Sequence, residues 1–355
     1  MHTTRDECTQ IRERRRNQKS KRGRPLRRTW VVGALAALCT ALMPSVAPHA
    51  SADGHSGRQR DTAYVANAGD DTVSVISSTT NQVIATVGVG DSPFGVAVDP
   101  PRARAYVTNA VDGTVSVINT RTNRVVGPPI TVGGGPSAAA VDSSRARAYV
   151  VNGNDGTVSV INTRTNRVIA TIPVGTNPGA VAVDPSSARA YVTNEPDNTV
   201  SVIDTSTNTV IATIPVGTDP AGVAVDPSID RAYVTNFTDG TVSVIDTTNN
   251  TEILPRIPVG GGPLGVAVDP SIDRAYVTNF TDGTVSVIDT TNNTEILPRV
   301  TVGDGPRGVA VDPPRDRAYV TNFLSPNTVS VIDTSTNQVI ATTTVGNNPF
   351  GVAAF

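Results

Sequence analysis

The sequence predicts an all-β fold in which seven repeats close into a ring, and three observations predict it. First, the tyrosines Tyr64, Tyr106, Tyr149, Tyr191, Tyr233, Tyr276 and Tyr319 are all the tyrosines present, and they follow one another at spacings of 42 or 43 residues. Second, each stands in one frame, Arg-Ala-Tyr-Val-Thr-Asn in its commonest form, and the closing asparagine is present in every copy from Asn67 to Asn322. Third, the residues between are short runs of Val, Thr and Ala broken by Asn, Asp and the 30 Gly and 26 Pro of the chain. β-Branched residues favour pleated strands, and the other types favour turns. Four short strands in a unit of about forty residues, repeated, are the pattern of a β-propeller. The expectation is a seven-bladed β-propeller with four-stranded blades.

The repeat around Tyr233 shows how one blade reads. Strand A is Gly222 to Val225, followed by a turn at Asp226-Pro227. Strand B is Arg231 to Thr235, and Asp239-Gly240 predicts a tight hairpin because glycine tolerates positive φ. Strand C is Thr241 to Ile245, an Asn-rich turn follows at Thr248-Asn249-Asn250, and strand D runs from Ile253 toward Val259. Small β-branched side chains point to both faces, as suits sheets buried on both sides. Residues 222–256 and 265–299 are identical, which marks a duplicated blade.

The first repeat begins at strand B, and the chain ends in Gly351-Val352-Ala353-Ala354-Phe355, a strand A with nothing after it. The ring is therefore expected to close by strand 351–355 joining the N-terminal blade. Six repeats carry Asp at the end of strand A and Arg five residues later, from Asp99/Arg104 to Asp312/Arg317. These read as hairpin ion pairs of ~0–1 kcal/mol each if exposed. In the split blade Phe355 and Thr62 occupy the two positions, so both partners are missing together.

Residues 1–52 read as a signal peptide. A basic stretch leads to an apolar run at 30–43, and Ala50-Ser51-Ala52 offers cleavage after Ala52. The run is shorter than the ~20 residues a bilayer span needs, so no retained membrane span is expected. Arg27-Arg28-Thr29-Trp30 partly matches a twin-arginine signal, which leaves Sec and twin-arginine export both open. Residues 53–60 make a short lead-in, and 61–355 the propeller. Export to the cell envelope or the exterior follows.

This leader hides a charge asymmetry. Residues 1–52 hold 11 basic and 3 acidic side chains, while the remainder holds 18 arginines and 28 acids. A domain so acidic repels phosphate, which argues against nucleic acid as a partner.

The tetrapeptide Tyr-Val-Thr-Asn stands intact at Tyr106, Tyr191, Tyr233, Tyr276 and Tyr319, and is altered to Tyr64-Val65-Ala66-Asn67 and Tyr149-Val150-Val151-Asn152. On these residues the chain resembles the YVTN-type propeller repeat proteins, which include YncE-like and surface-layer propellers. The resemblance covers residues 61–355 and implies the fold. It carries over no shared catalytic motif, and it admits single-stranded DNA binding as one role.

The chemical inventory is short. His2, His49 and His55 are the only histidines and Cys8 and Cys39 the only cysteines, so 61–355 lacks the residues of Ser/His/Asp or Cys/His catalysis and of a His/Cys zinc site. Glu195, Glu252 and Glu295 are the only glutamates after the leader, and the last two read as solvated. Most aspartates occupy repeated turn positions, so no cofactor is expected, with Ca²⁺ through oxygen ligands the one alternative.

Positions that vary between repeats are the candidate site. Topology puts the D–A and B–C loops on one face. The residue after the D–A proline and the residue after the motif asparagine vary, and five of the six phenylalanines fall there. Phe94, Phe237, Leu264, Phe280, Arg307, Phe323 and Phe350 thus form a candidate arc on neighbouring blades. It is either a surface that binds a ligand or a set of wedges packed between blades. The residues point to a non-enzymatic monomer that recognises a protein, peptide or glycan. The alternatives are a metal-assisted lactonase or lyase and a single-stranded DNA-binding propeller.

Overall fold

The computed structural model describes residues 62–355; the expected signal peptide at 1–52 and the expected lead-in at 53–60 lie outside the described residues. The described chain is a seven-bladed β-propeller of antiparallel four-stranded blades. Two short 3-10 turns, Pro100–Arg102 and Pro313–Arg315, interrupt the A–B connections of blades 2 and 7.

Blade 5 is representative. Its strands are Pro220–Asp226 (A), Arg231–Asn236 (B), Thr241–Asp246 (C) and Thr251–Pro258 (D), hydrogen-bonded in that order. Blade 1 takes its strand A from the chain end. Pro349–Ala354 pairs antiparallel with Thr62–Asn67, Ala353 opposite Tyr64, and the latter strand continues to Thr72–Ser77 and Val83–Gly88. In blade 2 strand D breaks into Arg124–Val125 and Ile130–Thr131, because Pro128 and Pro129 between them have no N–H for the ladder.

Alternation along strand B builds the core. In blade 5, Ala232 and Val234 face the preceding blade and pack with Tyr191, Val200 and Val202, whereas Tyr233 faces the next and packs with Ala275 and Val277. Both faces of each sheet are therefore buried, as the strand composition requires. Every tyrosine is fully buried. Tyr64, Tyr106 and Tyr233 donate their hydroxyls to the C–D turn of the following blade; Tyr64 reaches Asn123 Oδ1 at 2.8 Å. The strands A pack side by side in one closed cycle through all seven blades. Thr343 of blade 7 also donates to the Asn81 carbonyl of blade 1, at 2.5 Å.

The motif asparagine is structural. In every blade its Nδ2 donates to a threonine and a serine of strand C; Asn236 reaches Thr241 at 3.0 Å and Ser243 at 3.0 Å. The motif threonine acts between blades. A bulge between Pro263 and Val266 takes Gly265 off the strand ladder, and its N–H donates to Thr278 Oγ1 at 2.8 Å. Glycine is required at this point: a Cβ on Gly265 would lie 2.3 Å from the Arg307 carbonyl of the next blade.

Three expectations are corrected. The Asp-Gly connection is a four-residue loop, not a tight two-residue hairpin. Gly240 N–H donates to Asn236 O across one helical turn, and Gly240 at φ 63° ends it. Next, none of the six Asp/Arg ion pairs forms, although Asp99 and Arg104 are register partners. The buried carboxylates turn back over the A–B turn to nearer donors. Asp226 accepts from Ser228 N–H at 3.0 Å and from its hydroxyl at 2.5 Å. Asp99, Asp142 and Asp312 pair instead with Arg102, Arg145 and Arg315, three residues on. The arginine opening strand B looks elsewhere: Arg317 meets Asp333 at 3.2 Å, and Arg147 and Arg189 donate to Thr205 and Thr247 carbonyls of the next blade. Burial pushes the Asp184 carboxyl up, but donors from Ser186 and Ser187 outweigh it and hold it below the usual range. Finally, Glu252 and Glu295 are not merely solvated. Each takes a two-point bond from Arg256 or Arg299, with Nε to Oε1 at 2.7 Å, at the register shift where strand D carries extra residues against strand C.

Candidate binding face

The D–A and B–C loops lie together on one face and are tied to each other in every blade. The hairpin aspartate of each B–C loop in blades 1 to 6 accepts a backbone N–H from the adjoining D–A loop; Asp112 takes Asp91 N–H at 2.7 Å and Asp282 takes Gly261 N–H at 2.8 Å. The residue after the motif asparagine donates its own N–H to the same loop, as Phe280 does to Gly262 O and Phe323 to Gly305 O, both at 3.0 Å. These bonds fix the backbone at the variable positions, so side chains can change there without disturbing the ring.

On that backbone five of the seven candidate residues meet. The Arg307 guanidinium carbon lies 4.3 Å from the ring centroids of Phe323 and Phe350 and 5.1 Å from that of Phe280. Phe350 contacts Phe323 edge-on at 5.1 Å and Phe94 at 4.0 Å with a 30° tilt. Such a cation enclosed by aromatic faces is held by the ring quadrupoles, worth ~0.5–2 kcal/mol per contact. The cluster spans blades 6, 7, 1 and 2. Phe94 is buried, whereas Phe280, Phe323, Phe350 and Arg307 are half-buried.

Phe237 and Leu264 stand apart from these ring contacts. Phe237 lies over Gly262 of the next blade, where a Cβ would meet its Cε2 at 3.1 Å. Leu264 is anchored through its carbonyl, which accepts from Thr235 at 2.7 Å. Phe280 likewise covers Gly305, 3.0 Å from the position of a Cβ. Phe237 and Phe280 therefore fill the space above loop glycines, and both remain half-buried. The sixth, Phe355, is on the split blade and stacks on Tyr64 with ring centroids 6.0 Å apart.

One residue of the patch was not singled out from the sequence. Leu324 is 46 % exposed and covers Gly305 together with Phe280. Its signal was present: the B–C loop of blade 7 reads Leu-Ser-Pro-Asn where blades 5 and 6 read Thr-Asp-Gly. Among the described residues no group of three or more Asp, Glu, His or Cys is placed to hold a metal ion. No described helix is long and apolar enough to cross a membrane.

Solved structures share this architecture. The chain is similar to Kuenenia stuttgartiensis hydrazine synthase, with a TM-score of 0.70 and 22 % identity over 78 % of this chain and 93 % of that one. It is also similar to a functionally unknown protein from Desulfotomaculum acetoxidans, with a TM-score of 0.72 and 17 % identity over 83 % and 98 % of the two chains. A Lactobacillus plantarum protein gives a TM-score of 0.72 and 14 % identity over 83 % and 99 %. These likenesses show the fold alone. No family model matches the sequence, and no curated protein matches it.

Proposed function

We propose that the chain is an exported YVTN-type propeller that binds a protein, peptide or glycan, as a monomer and without a cofactor, through the face formed by its D–A and B–C loops. The observation that carries this reading is the Arg307 cluster. Phe280, Phe323 and Phe350 surround one guanidinium on a face whose backbone is locked by repeated bonds, while the equivalent positions in blades 3 and 4 carry Ser137, Gly153, Gly179 and Glu195, none of them aromatic. A ring that needed aromatic wedges for closure alone would need them at every blade junction. The uneven distribution instead suits one preferred contact region, a half-buried aromatic patch with a polar rim. The chain has no histidine or cysteine beyond residue 55, so chemistry through those groups does not enter.

The test joins Phe237→Ser, Phe280→Ser and Phe323→Ser in one variant and compares it with the wild-type full chain. Both are immobilised and exposed to the producing organism's growth medium and envelope extract, and both are melted. The expected result is material retained by the wild type and lost by a variant that still melts cooperatively. Lower stability with unchanged capture would assign these side chains to packing and end the binding reading.

A further inference from the structure

The described residues contain 16 arginines, no lysine, and 26 acidic side chains. Sorted by position in the fold, the ten-charge excess of acid lies on one face. The B–C and D–A loops together hold 11 acids and one arginine, Arg307, while Arg256 and Arg299 reach Asp239 and Asp282 at 3.7 Å from the adjoining ends of strands D. The remaining 15 arginines and 15 acids, on the opposite turns and on strands D, cancel. Their cancellation is local: Asp99 with Arg102, Arg317 with Asp333, and Arg256 with Glu252 are direct pairs. The excess of acid therefore sits on one side of the disc, and that side is the one that carries the aromatic cluster.

The acids on that face are spread, not gathered. Asp70, Asp112, Asp155, Asp197, Asp239 and Asp282 occupy the same hairpin position in blades 1 to 6, and all six are exposed. One carboxylate per blade cannot converge on a single ion, but it makes a broad field that sums over a surface. The series breaks at blade 7, where Pro326-Asn327 replaces Asp-Gly and the exposed Leu324 adjoins Phe323. The gap in the charged ring is thus filled by the apolar part of the patch.

We propose, resting on the binding-face reading above, that the partner of this face is a protein presenting a lysine- or arginine-rich segment. Charge complementarity selects it. An anionic glycan or nucleic acid meets repulsion from the whole rim. A neutral glycan gains nothing from the field. A basic segment gains attraction at several separated carboxylates, while its alkyl stems and apolar neighbours lie against Leu324, Phe323 and Phe280. The single Arg307 cation offsets only one of the eleven carboxylates, and its guanidinium faces three aromatic rings.

Fluorescein-labelled octalysine is the probe, titrated into the full chain by fluorescence anisotropy at low and at raised salt. One variant joins Asp70→Asn, Asp282→Asn and Asp304→Asn around the blade 7 gap. A second, equal in net charge, joins Asp230→Asn, Asp273→Asn and Asp316→Asn on the opposite face, where φ is 53° at all three and asparagine is well tolerated. The wild type is expected to bind octalysine and to lose affinity as salt rises. The first variant is expected to bind about tenfold more weakly at low salt, and the second to stay within about twofold of the wild type. Equal weakening in both variants, or no binding by the wild type, overturns the proposal. Failure of octalysine while the phenylalanine variant still loses its captured material removes the basic partner and leaves the binding face. Unchanged capture by the phenylalanine variant removes the face itself.

Discussion

Thr278 donates its hydroxyl to the main-chain carbonyl of Arg307, 2.7 Å away on the next blade, while accepting the Gly265 N–H of its own blade at 2.8 Å. One motif residue therefore fixes the backbone under the guanidinium of the candidate site. The same link recurs from Thr235 to Leu264 O and from Thr321 to Phe350 O, so three of the seven candidate residues hang on motif threonines. Thr278→Val keeps the shape and leaves a buried donor and acceptor without partners. Its expected cost is about 1–3 kcal/mol, read as a lower urea midpoint with an unchanged slope. Blade 3 suggests the rescue. There Val151 replaces the threonine, and Ser137 Oγ donates to the Gly179 carbonyl at 2.9 Å in its stead. Leu264 is the blade 6 counterpart of Ser137, so adding Leu264→Ser to Thr278→Val is expected to recover part of the loss. A double variant no better than the sum of the singles would refute the substitution logic.

The split blade makes the end of the chain part of the core. Val352 and Ala353 are both buried, and they enter hydrophobic clusters that also contain Val65, Tyr319 and Tyr64. Gly351 sits where a Cβ would come within 2.5 Å of the Phe94 carbonyl, so blades 1 and 2 are in close backbone contact there. Removing residues 351–355 strips the inner ladder from Thr62–Asn67 and opens apolar surface on both neighbours. The expected outcome is a fall in melting temperature of about 10 °C or more, together with loss of cooperativity. A truncated chain that melts unchanged would show that this strand does not close the ring.

The repeat frame was legible because its physics is local and repeated seven times. Tyr, Thr and Asn in one strand each have one geometric task, and their spacing exposes the blade number directly. The aromatic arc was legible for a related reason: once the frame is removed, only the positions that break it remain, and five phenylalanines stand there. What the sequence did not disclose is competition among nearby partners. Asp226 and Arg231 are opposite in the ladder, yet the Ser228 donors two residues away reach the carboxylate first. Glu252 and Arg256 meet where the ladder shifts register between Ile253 and Ile257, which a period-two reading does not anticipate. Leu324 was overlooked for the converse reason: it lies in a loop one residue beyond the variable position.

The buried tyrosines predict an alkaline limit to the ring. Burial, with the nearby Asp99 carboxylate adding to it, pushes the Tyr106 phenol up to about 12, and burial with Asp226 does the same for Tyr233. Tyr149, Tyr191, Tyr276 and Tyr319 are raised as well, burial again leading. An unfolded tyrosine ionises near 10, so above that pH the unfolded chain sheds protons that the folded chain keeps. Stability is accordingly constant below about pH 10 and falls as the pH climbs toward 12, by roughly 3 kcal/mol at most for each of Tyr106 and Tyr233. Because each hydroxyl is shut between two blades, the intact ring holds these phenols protonated well above pH 10. Tyrosinate absorbance and far-ultraviolet circular dichroism are therefore expected to change together, in one steep transition above about pH 10. Gradual tyrosinate formation around pH 10 with the β signal intact would mean that the phenols are open to solvent and that the tyrosine frame does not seal the blades.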